Sequence, residues 1–305
     1  MKKKIVSLLL TGVLVVGTLA LAGCGSKEAA AESAAPATVE AAEAEAPATE
    51  ETAEATEEAA PAETTKIVVG ANITPHSEIL NQAKEILAKD GIELEVVEIE
   101  DSVTPNTGVT EGTLDANYFQ HQPYLDDYNA QNGTDIVSIG AIHYEPFGVY
   151  SSKLTSIADL PDDAKVAVPN NVTNEARALL LLEQEGVLKL KEDAGITATV
   201  TDIVENPKNI SFVEVDPSQL VNTLADVDIA VINGNYALEG GLHIKDALAV
   251  ESKDGLAAQT YGNIVAAREA NANNPALLKL VEVLKSDEIK DYINNTYGGA
   301  VVPLD

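Results

Sequence analysis

Cysteine and positively charged residues are scarce in this chain of 305 residues. Its single cysteine, Cys24, excludes an internal disulfide framework. Lys and Arg number 19 against 49 Asp and Glu, which gives a net charge of −30. An excess of this sign argues against binding to nucleic acid and against docking of a basic patch on anionic lipid. It sets no limit on a small zwitterionic ligand.

Long apolar runs are also missing, with one exception at the N-terminus. Three lysines at positions 2–4 precede an apolar stretch over residues 5–19, and the tetrapeptide LAGC follows at 21–24. This order predicts a lipoprotein signal peptide over residues 1–23 and a lipid on Cys24. An ordinary signal or a membrane anchor with a chance cysteine is the alternative. No other segment approaches the roughly 20 apolar residues of a membrane span. We therefore expect a chain anchored by lipid on the extracytoplasmic side of the cell membrane, at the cell surface or in a periplasm.

Aromatic residues are absent between positions 25 and 65, where eleven Glu face one Lys and prolines recur at 36, 47 and 61. Such a composition buries too little apolar surface to offset the entropy lost on ordering. The sequence predicts a disordered tether over residues 24–65, followed by a folded part over residues 66–305.

Strand-like and helix-like segments alternate through the folded part. Apolar runs predict strands at 67–69, 94–99, 116–119, 135–142 continuing to 150, 165–168, 228–232 and 261–267, with two more within 197–215. Helical spacing predicts helices at 77–89, 109–114, 124–131, 174–185, 218–224 and 275–294. This alternation predicts an α/β fold with parallel sheets and helices on both faces. Ligands of such folds bind beyond the carboxyl ends of the strands.

Aromatic side chains are concentrated in one window. The chain has nine Tyr, three Phe and no Trp, and seven of these rings lie between residues 118 and 150. Phe119, His121 and Tyr124 occupy a predicted strand-to-helix junction, and Tyr144 belongs to the same window. The rings either fill a core or form an apolar wall on which a thioether would pack well.

A polar cluster follows the predicted strand at 165–168. It contains Asn171, Asn174 and Arg177 at the start of a predicted helix, where free backbone N–H groups favour an anion. A guanidinium grips a carboxylate through a planar pair of hydrogen bonds that lysine cannot reproduce. The alternative is that Thr173 or Asn174 merely caps the helix and that Arg177 is a solvated surface charge.

Two further asparagines, Asn233 and Asn235, follow the predicted strand at 228–232. Their amide oxygens can accept hydrogen bonds from an ammonium group, although Asn and Gly in this position are also typical of a plain turn. Together the three clusters offer a carboxylate fork, an ammonium acceptor and an apolar wall. A free amino acid with an uncharged side chain requires these three features.

At these residues the chain resembles a known family. The segment DANYFQHQPYL at 115–125 is similar to the signature of the NlpA family, the methionine-binding lipoproteins of ABC importers. Segments EPFGVYS at 145–151, TNEARAL at 173–179 and INGNYA at 232–237 resemble further family segments. The resemblance runs in order from about residue 66 to the C-terminus.

This resemblance implies a two-lobed fold of the periplasmic-binding-protein type II kind, in which two α/β lobes are joined by two crossing strands. Residues 66–147 with 262–305 would form one lobe and residues 148–261 the other. Methionine, or a similar small amino acid, would lie between them. The resemblance implies that Phe119, His121 and Tyr124 line the side-chain pocket, that Arg177 and Asn174 hold the carboxylate, and that Asn233 takes the amino group. We count Tyr144, Asn171 and Asn235 as further candidate ligand-binding residues.

The implied partners are an ABC permease and its ATPase subunit, and the implied function needs no cofactor and no bound metal. The chain itself contains no Walker-type phosphate loop. One departure concerns Ser102, which stands where the family commonly carries a tyrosine. The missing ring could enlarge the pocket and change the side chain that it accepts.

Three other functions stay open at this point. A hydrolase would need a Gly-x-Ser-x-Gly elbow or a histidine placed beside a nucleophile, and the sequence has neither. A metal-binding lipoprotein would have to use His76, His121, His143 and His243, which show no ligand spacing. A surface adhesin on the same lipidated scaffold leaves no trace in the sequence.

Overall fold

The computed structural model of the protein describes residues 64–252 and 260–305. The predicted signal peptide over residues 1–23, the lipidation of Cys24 and nearly all of the predicted tether over residues 24–65 lie outside the described residues. In the part of the chain that the structure describes, no helix is both long and apolar enough to span a membrane.

The described residues form thirteen strands and eight α-helices, which we number in chain order. The strands are β1 (Thr65–Ala71), β2 (Ile92–Glu98), β3 (Ala116–His121), β4 (Ile136–Tyr144), β5 (Gly148–Tyr150), β6 (Lys165–Pro169), β7 (Lys189–Leu190), β8 (Ile203–Glu205), β9 (Ser211–Val215), β10 (Ile229–Ile232), β11 (Ala249–Val250), β12 (Gly262–Arg268) and β13 (Val302–Pro303). The helices are α1 (Glu78–Lys89), α2 (Thr104–Glu111), α3 (Gln122–Asn132), α4 (Val172–Gln184), α5 (Leu220–Thr223), α6 (Gly234–Glu239), α7 (Pro275–Leu284) and α8 (Asp287–Tyr297).

Eleven of these strands form two sheets. The first has the order β13-β4-β12-β3-β1-β2 and the second the order β11-β5-β10-β6-β9, while β7 and β8 pair separately. β1 runs parallel to β2 and β3, and β6 runs parallel to β9 and β10. β12 and β5 are antiparallel to their neighbours. The prediction of parallel sheets therefore holds for only part of each sheet, because β5 and β12, which arrive from the other sheet, enter in the reverse direction, and β13 is antiparallel to β4.

Each large sheet and its helices make one lobe, as the two-lobed α/β prediction required. The chain leaves the first sheet after Tyr144 and enters the second at Gly148. It leaves the second sheet after Val250 and re-enters the first at Gly262. The single strand predicted from residue 135 to residue 150 is thus two strands, β4 and β5, which belong to different lobes.

Helices cover both faces of each sheet because the buried side chains of successive strand residues point in opposite directions. In the first lobe, α1, α7 and α8 pack on one face and α2 and α3 on the other. In the second lobe, α4 packs on one face and α5 and α6 on the other. Each sheet is therefore buried on both sides, and its strand ends are left as the places where polar side chains can gather.

Two helix predictions need correction. α2 begins at Thr104, five residues before the predicted start at 109, because Asp101 accepts hydrogen bonds from the backbone N–H groups of Val103 and Thr104. The tail predicted as one helix over residues 275–294 is two helices, α7 and α8. Ser286 breaks it by capping α8, where its hydroxyl accepts a hydrogen bond from the backbone N–H of Ile289. The strand predicted at 261–267 is also not the last one, since β13 follows α8.

Candidate functional site

Three strand ends of the two lobes surround one cavity. β3 ends at His121, β6 at Pro169 and β10 at Ile232, and each is followed directly by a helix, α3, α4 or α6. Eight of the predicted ligand-binding residues line the cavity: Phe119, His121, Tyr124, Asn171, Asn174, Arg177, Asn233 and Asn235.

Tyr144, the ninth predicted residue, does not line the cavity. Its side chain is fully buried, and its hydroxyl donates a hydrogen bond to Glu251 Oε2 at 2.6 Å. The guanidinium carbon of Arg177 lies 5.5 Å from the centre of its ring. Tyr144 therefore supports the Arg177–Glu251 pair from behind the wall.

Arg177 is buried and paired with a carboxylate of its own chain. Its Nε donates to both carboxylate oxygens of Glu251 at 3.0 Å, and its Nη2 donates to the same carboxylate. Nη2 also donates to the backbone oxygen of Glu145 at 2.8 Å. Burial works to lower the pKa of Arg177, but the neighbouring Glu251 outweighs it, so the pKa is raised. The alternative of a solvated surface arginine is wrong.

Aromatic rings flank this guanidinium. Its carbon lies 4.0 Å from the centre of the Phe147 ring and 4.4 Å from that of Tyr261. Such stacking on a planar cation adds about 0.5–2 kcal/mol for each ring, depending on how dry the contact is. Neither Phe147 nor Glu251 was predicted as a site residue. Glu251 lies 74 residues from Arg177 along the chain, and no local pattern in the sequence connects the two.

The cluster at the start of α4 is an ordered chain of amides. Asn171, and neither Thr173 nor Asn174, is the helix cap: its Oδ1 accepts the backbone N–H of Asn174 at 3.3 Å. The same oxygen accepts Asn174 Nδ2 at 2.7 Å, which fixes the orientation of the Asn174 side chain. Asn174 Oδ1 then accepts His121 Nε2 at 3.0 Å and Asn233 Nδ2 at 3.2 Å.

Asn233 is the last residue of this series of hydrogen bonds, and it has an unused acceptor. Its Oδ1 is shielded from solvent and has no hydrogen-bond partner within residues 64–252 and 260–305. Because a buried carbonyl oxygen without a donor is destabilising by about 1–3 kcal/mol, its position at a cavity wall suits an incoming N–H group. The cluster after β10 is therefore more than a turn, and residues 234–239 form the helix α6.

His121 connects the two lobes in one defined tautomer. Its Nδ1 accepts the backbone N–H of Tyr124 at 3.2 Å, so its Nε2 carries the proton that is donated to Asn174. Burial and the nearby charge of Arg177 lower the pKa of His121 to about 4. Its ring packs edge-on against Tyr261 at 5.1 Å and Tyr124 at 6.3 Å between centres, and Phe119 lies 5.9 Å from Tyr124. These rings form the apolar wall of the cavity.

Ser102 also lines the cavity, in the loop before α2. The hydroxyl of Tyr124 donates to its backbone oxygen at 2.7 Å. Where the resembling family commonly has a tyrosine, this chain thus presents a small side chain and a tyrosine that reaches across from α3.

A second polar group behind the cavity was not predicted as a site. His143 Nε2 lies 2.6 Å and His76 Nε2 lies 3.4 Å from Glu145 Oε1, and the three side chains are buried. Of the four histidines weighed as metal ligands, the structure brings these two together, whereas His121 has other partners and His243 is exposed.

The hydrogen bonds of this group account for its geometry without a metal ion. Burial raises the pKa of Tyr118 well above its ordinary value, so its hydroxyl keeps its proton and donates it to His143 Nδ1. His143 Nε2 therefore carries a proton and donates it to Glu145, which leaves no lone pair on that nitrogen for a metal. His76 Nε2 is within hydrogen-bond distance of Asn263 Oδ1, at 3.0 Å.

Asn72 was also missed, although the sequence contained a signal for it. It lies directly after β1, lines the cavity, and accepts a hydrogen bond from Asn235 Nδ2 at 3.3 Å across the two lobes. The strand-end rule that identified the other three clusters, applied to the first strand, would have included it.

Comparison with known proteins was made by sequence and by structure. A model of the NlpA lipoprotein family matches residues 67–304. The chain is 39% identical to the methionine-binding lipoprotein MetQ of Bacillus subtilis (strain 168), over 82% of this chain and 92% of that protein. It is 35% identical to the D-methionine-binding lipoprotein MetQ of Escherichia coli (strain K12), over 94% of each chain. A nutrient binding protein from Burkholderia cenocepacia, solved bound to methionine, has a TM-score of 0.75 and 45% identity, covering 78% of this chain and 100% of that one.

Proposed function

The chain belongs to the NlpA lipoprotein family, and from this premise we propose that its two lobes close around methionine and deliver it to an ABC importer. The observation that carries the proposal is the convergence of three chemical features on one cavity. Arg177 supplies positive charge, Asn233 Oδ1 is a buried acceptor without a partner, and the rings of Phe119, His121 and Tyr124 supply an apolar wall.

In this proposal the ligand spans both lobes. Its carboxylate faces Arg177 and the N-terminal turn of α4, where the helix dipole favours negative charge. Its ammonium group donates to Asn233 Oδ1. Its thioether packs on the rings of the first lobe, where each sulfur–aromatic contact adds about 0.3–1.5 kcal/mol. Asn171 and Asn174 hold the polar groups in place, and Asn235 ties α6 to Asn72 of the first lobe.

The division into lobes follows from the two places where the chain passes from one sheet to the other. We propose residues 66–147 with 262–305 as the first lobe and residues 148–261 as the second, with the crossings as the hinge. Since the binding residues come from both lobes, hinge closure assembles the site and opening releases the ligand. The protein then acts by binding and is not an enzyme.

We further propose how the protein is placed in the cell. Residues 1–23 would be removed as a signal peptide, Cys24 would carry the lipid, and residues 24–65 would act as a tether. A single acyl chain binds a membrane only marginally, whereas two or more hold it stably. The closed lobes would dock on a permease whose ATPase subunit drives import. Proteins similar to this chain are named as lipoproteins, and one of them as an outer membrane lipoprotein. These names support an extracytoplasmic location.

A second ligand deserves a direct test because of Ser102. The small side chain at this position favours a pocket that also accepts other uncharged amino acids of similar size.

The test is calorimetric titration of the full chain, extracted from membranes in mild detergent, with L-methionine, D-methionine, L-leucine and L-glutamine. We expect saturable binding of methionine and a raised melting temperature, since a ligand at about 100-fold its Kd adds roughly 2.7 kcal/mol to the free energy of unfolding. Tighter binding of leucine or glutamine would reassign the ligand, and binding of none of the four would reject the proposal.

A further inference from the structure

Glu145 is a buried carboxylate at the crossing between the lobes. It follows β4, lines the cavity, and is 5% exposed. Its Oε1 accepts His143 Nε2 at 2.6 Å, and the backbone N–H of Asn235 also donates to its carboxylate. Because a Cβ on Gly234 would lie 2.7 Å from Glu145 Cβ, glycine there lets the carboxylate reach the first turn of α6.

Two imidazoles and a backbone N–H group hold this carboxylate. Tyr118 donates to His143 Nδ1, and His143 Nε2 donates to Glu145. Burial lowers the pKa of His76 to about 4, so that imidazole is uncharged near pH 7. Although burial acts to raise the pKa of Glu145, the imidazoles of His76 and His143 and the N–H of Asn235 favour the ionised form, and the pKa lies below its ordinary value.

Among the described residues, Glu145 and Arg177 are the acidic and basic side chains of the cavity wall. The charge of Arg177 is matched by Glu251. The Glu145 carboxylate has hydrogen-bond donors and two imidazole neighbours, but within the described residues no lysine or arginine pairs with it. A buried carboxylate at a cavity wall favours a ligand group of opposite charge.

We infer that Glu145 is a specificity residue that selects ligands with a free, protonated amino group. The inference rests on the proposed function and extends it to a residue that the predicted site did not contain. The ammonium group of the ligand would approach between the Glu145 carboxylate and Oδ1 of Asn233, the residue next to Gly234. An amide oxygen alone accepts a hydrogen bond from a neutral group as well as from a cation, whereas the carboxylate requires the positive charge.

The consequence is a strong preference between two ligands of almost equal shape. L-Methionine carries the ammonium group, and 4-(methylthio)butanoate is the same molecule without it. A hydrogen bond to a charged group is worth more than one between neutral groups, and a buried carboxylate left without its ammonium partner disfavours the analogue that lacks the amino group. We expect the wild-type protein to bind L-methionine at least about 100-fold more tightly than the analogue at pH 7.

The test titrates both ligands into the wild type, Glu145→Gln and the control Glu111→Gln, which removes an exposed carboxylate at the end of α2. In Glu145→Gln we expect L-methionine to bind about 10- to 100-fold more weakly, while the analogue binds as well as before or better. The ratio of the affinities for L-methionine and the analogue should fall sharply in Glu145→Gln and stay unchanged in Glu111→Gln.

Each outcome decides the inference. If Glu145→Gln weakened the binding of both ligands equally, the role of Glu145 would be merely structural and the inference would be overturned. If that variant does not fold, the wild-type ratio still decides, since similar affinity for both ligands contradicts the inference and a ratio of about 100 or more supports it. A wild type that binds neither ligand would overturn the proposed function itself, which is a result distinct from either of these.

Discussion

Arg177 faces two carboxylates in the proposed cycle, one that belongs to the chain and one that belongs to the ligand. Glu251 fixes the plane of the guanidinium, and Tyr144 donates to Glu251 from behind. A planar cation held in this way has little orientational freedom left to lose when a ligand arrives. The pair thus acts as a preoriented support for the binding surface.

Replacing Arg177 with lysine tests the need for this plane. Arg177→Lys keeps the charge but cannot hold Glu251 through two parallel bonds, so we expect methionine affinity to fall about 30-fold or more, which corresponds to about 2 kcal/mol. Calorimetric titration measures the change. Arg268→Lys, at the other arginine of the chain and at the end of β12, is the matched control and should leave affinity unchanged. Equal affinities for the wild type and Arg177→Lys would refute the assigned role.

Acid sensitivity should arise from two buried histidines. The pKa of His76 and of His121 is about 4 in the folded protein, mainly because of burial, against about 6.5 in the unfolded chain. Between these values the unfolded state binds protons that the folded state does not, so the free energy of unfolding falls as the pH falls from about 6.5 to 4. The stabilisation is fully present above pH 6.5.

We expect each of these histidines to account for a loss of about 2 kcal/mol between pH 7 and pH 5. His121→Gln keeps an N–H donor for Asn174 but does not titrate, so its unfolding free energy should fall by about 2 kcal/mol less than that of the wild type. Urea unfolding at the two pH values gives both numbers. Parallel pH dependence in the two proteins would assign the acid sensitivity to other groups.

The sequence was informative about site residues that follow strand ends and uninformative about those that pair over long distances. Asn233 was predicted because it directly follows β10, and Asn174 because it lies in the first turn of the helix after β6, where ligands of such sheets bind. Glu145 and Glu251 were not, because their significance lies in His143 and Arg177, with which the fold brings them together. Tyr144 does not line the cavity, since adjacent strand residues point to opposite faces and the sequence alone does not say which face meets it.

At the scale of elements, α4 joins stability to binding through its capping residue, Asn171. The side chain of Asn171 caps the helix and also holds Asn174, whose oxygen receives both His121 and Asn233. A change at the cap should therefore disturb two properties at once.

We expect Asn171→Ala to lower the free energy of unfolding by about 1 kcal/mol, as for other helix caps, and to weaken methionine binding several-fold. Ser286→Ala is the matched control, since Ser286 caps α8 in the first lobe and does not line the cavity. It should cause a similar loss of stability with unchanged affinity. Denaturant unfolding and calorimetry separate the two effects. Unchanged affinity in Asn171→Ala would restrict Asn171 to capping.

Element prediction succeeded where one strong local signal was present. Helix α1 was predicted because Ile79, Leu80, Ala83 and Leu87 share one buried face, and Gly91 with φ +72° follows its end. The start of α2 was missed because Asp101, which accepts the backbone N–H groups of Val103 and Thr104, lies before a segment with little apolar periodicity. Ser286 was overlooked inside the apolar tail of α7 and α8, where a continuous helix and two capped helices have the same spacing.

At the scale of the whole molecule, hydrogen bonds around the cavity join the two lobes. His121 donates to Asn174, Asn235 donates to Asn72 at 3.3 Å, and Tyr236 donates to the backbone oxygen of Glu100 at 3.4 Å. Bonds between neutral groups contribute about 0.5–1.5 kcal/mol each. A ligand that contacts both lobes stabilises the closed form alone. This difference in binding free energy shifts the population towards the closed form.

Lobe closure can be measured because the natural chain has one cysteine. In a Cys24→Ser background, Gln131→Cys and Asn170→Cys place spin labels on exposed residues of α3 and of the loop after β6, on opposite sides of the groove at the cavity mouth. Without ligand we expect a broad distribution of distances between the labels, and with saturating methionine a shorter and narrower one, recorded by pulsed dipolar spectroscopy. The added change Arg177→Ala should abolish this response, because in the proposed function the guanidinium is the charged group of the second lobe that faces the ligand. Identical distributions with and without methionine, in a labelled protein that still binds it, would show that the lobes do not move relative to each other and that binding must proceed through local side-chain motions.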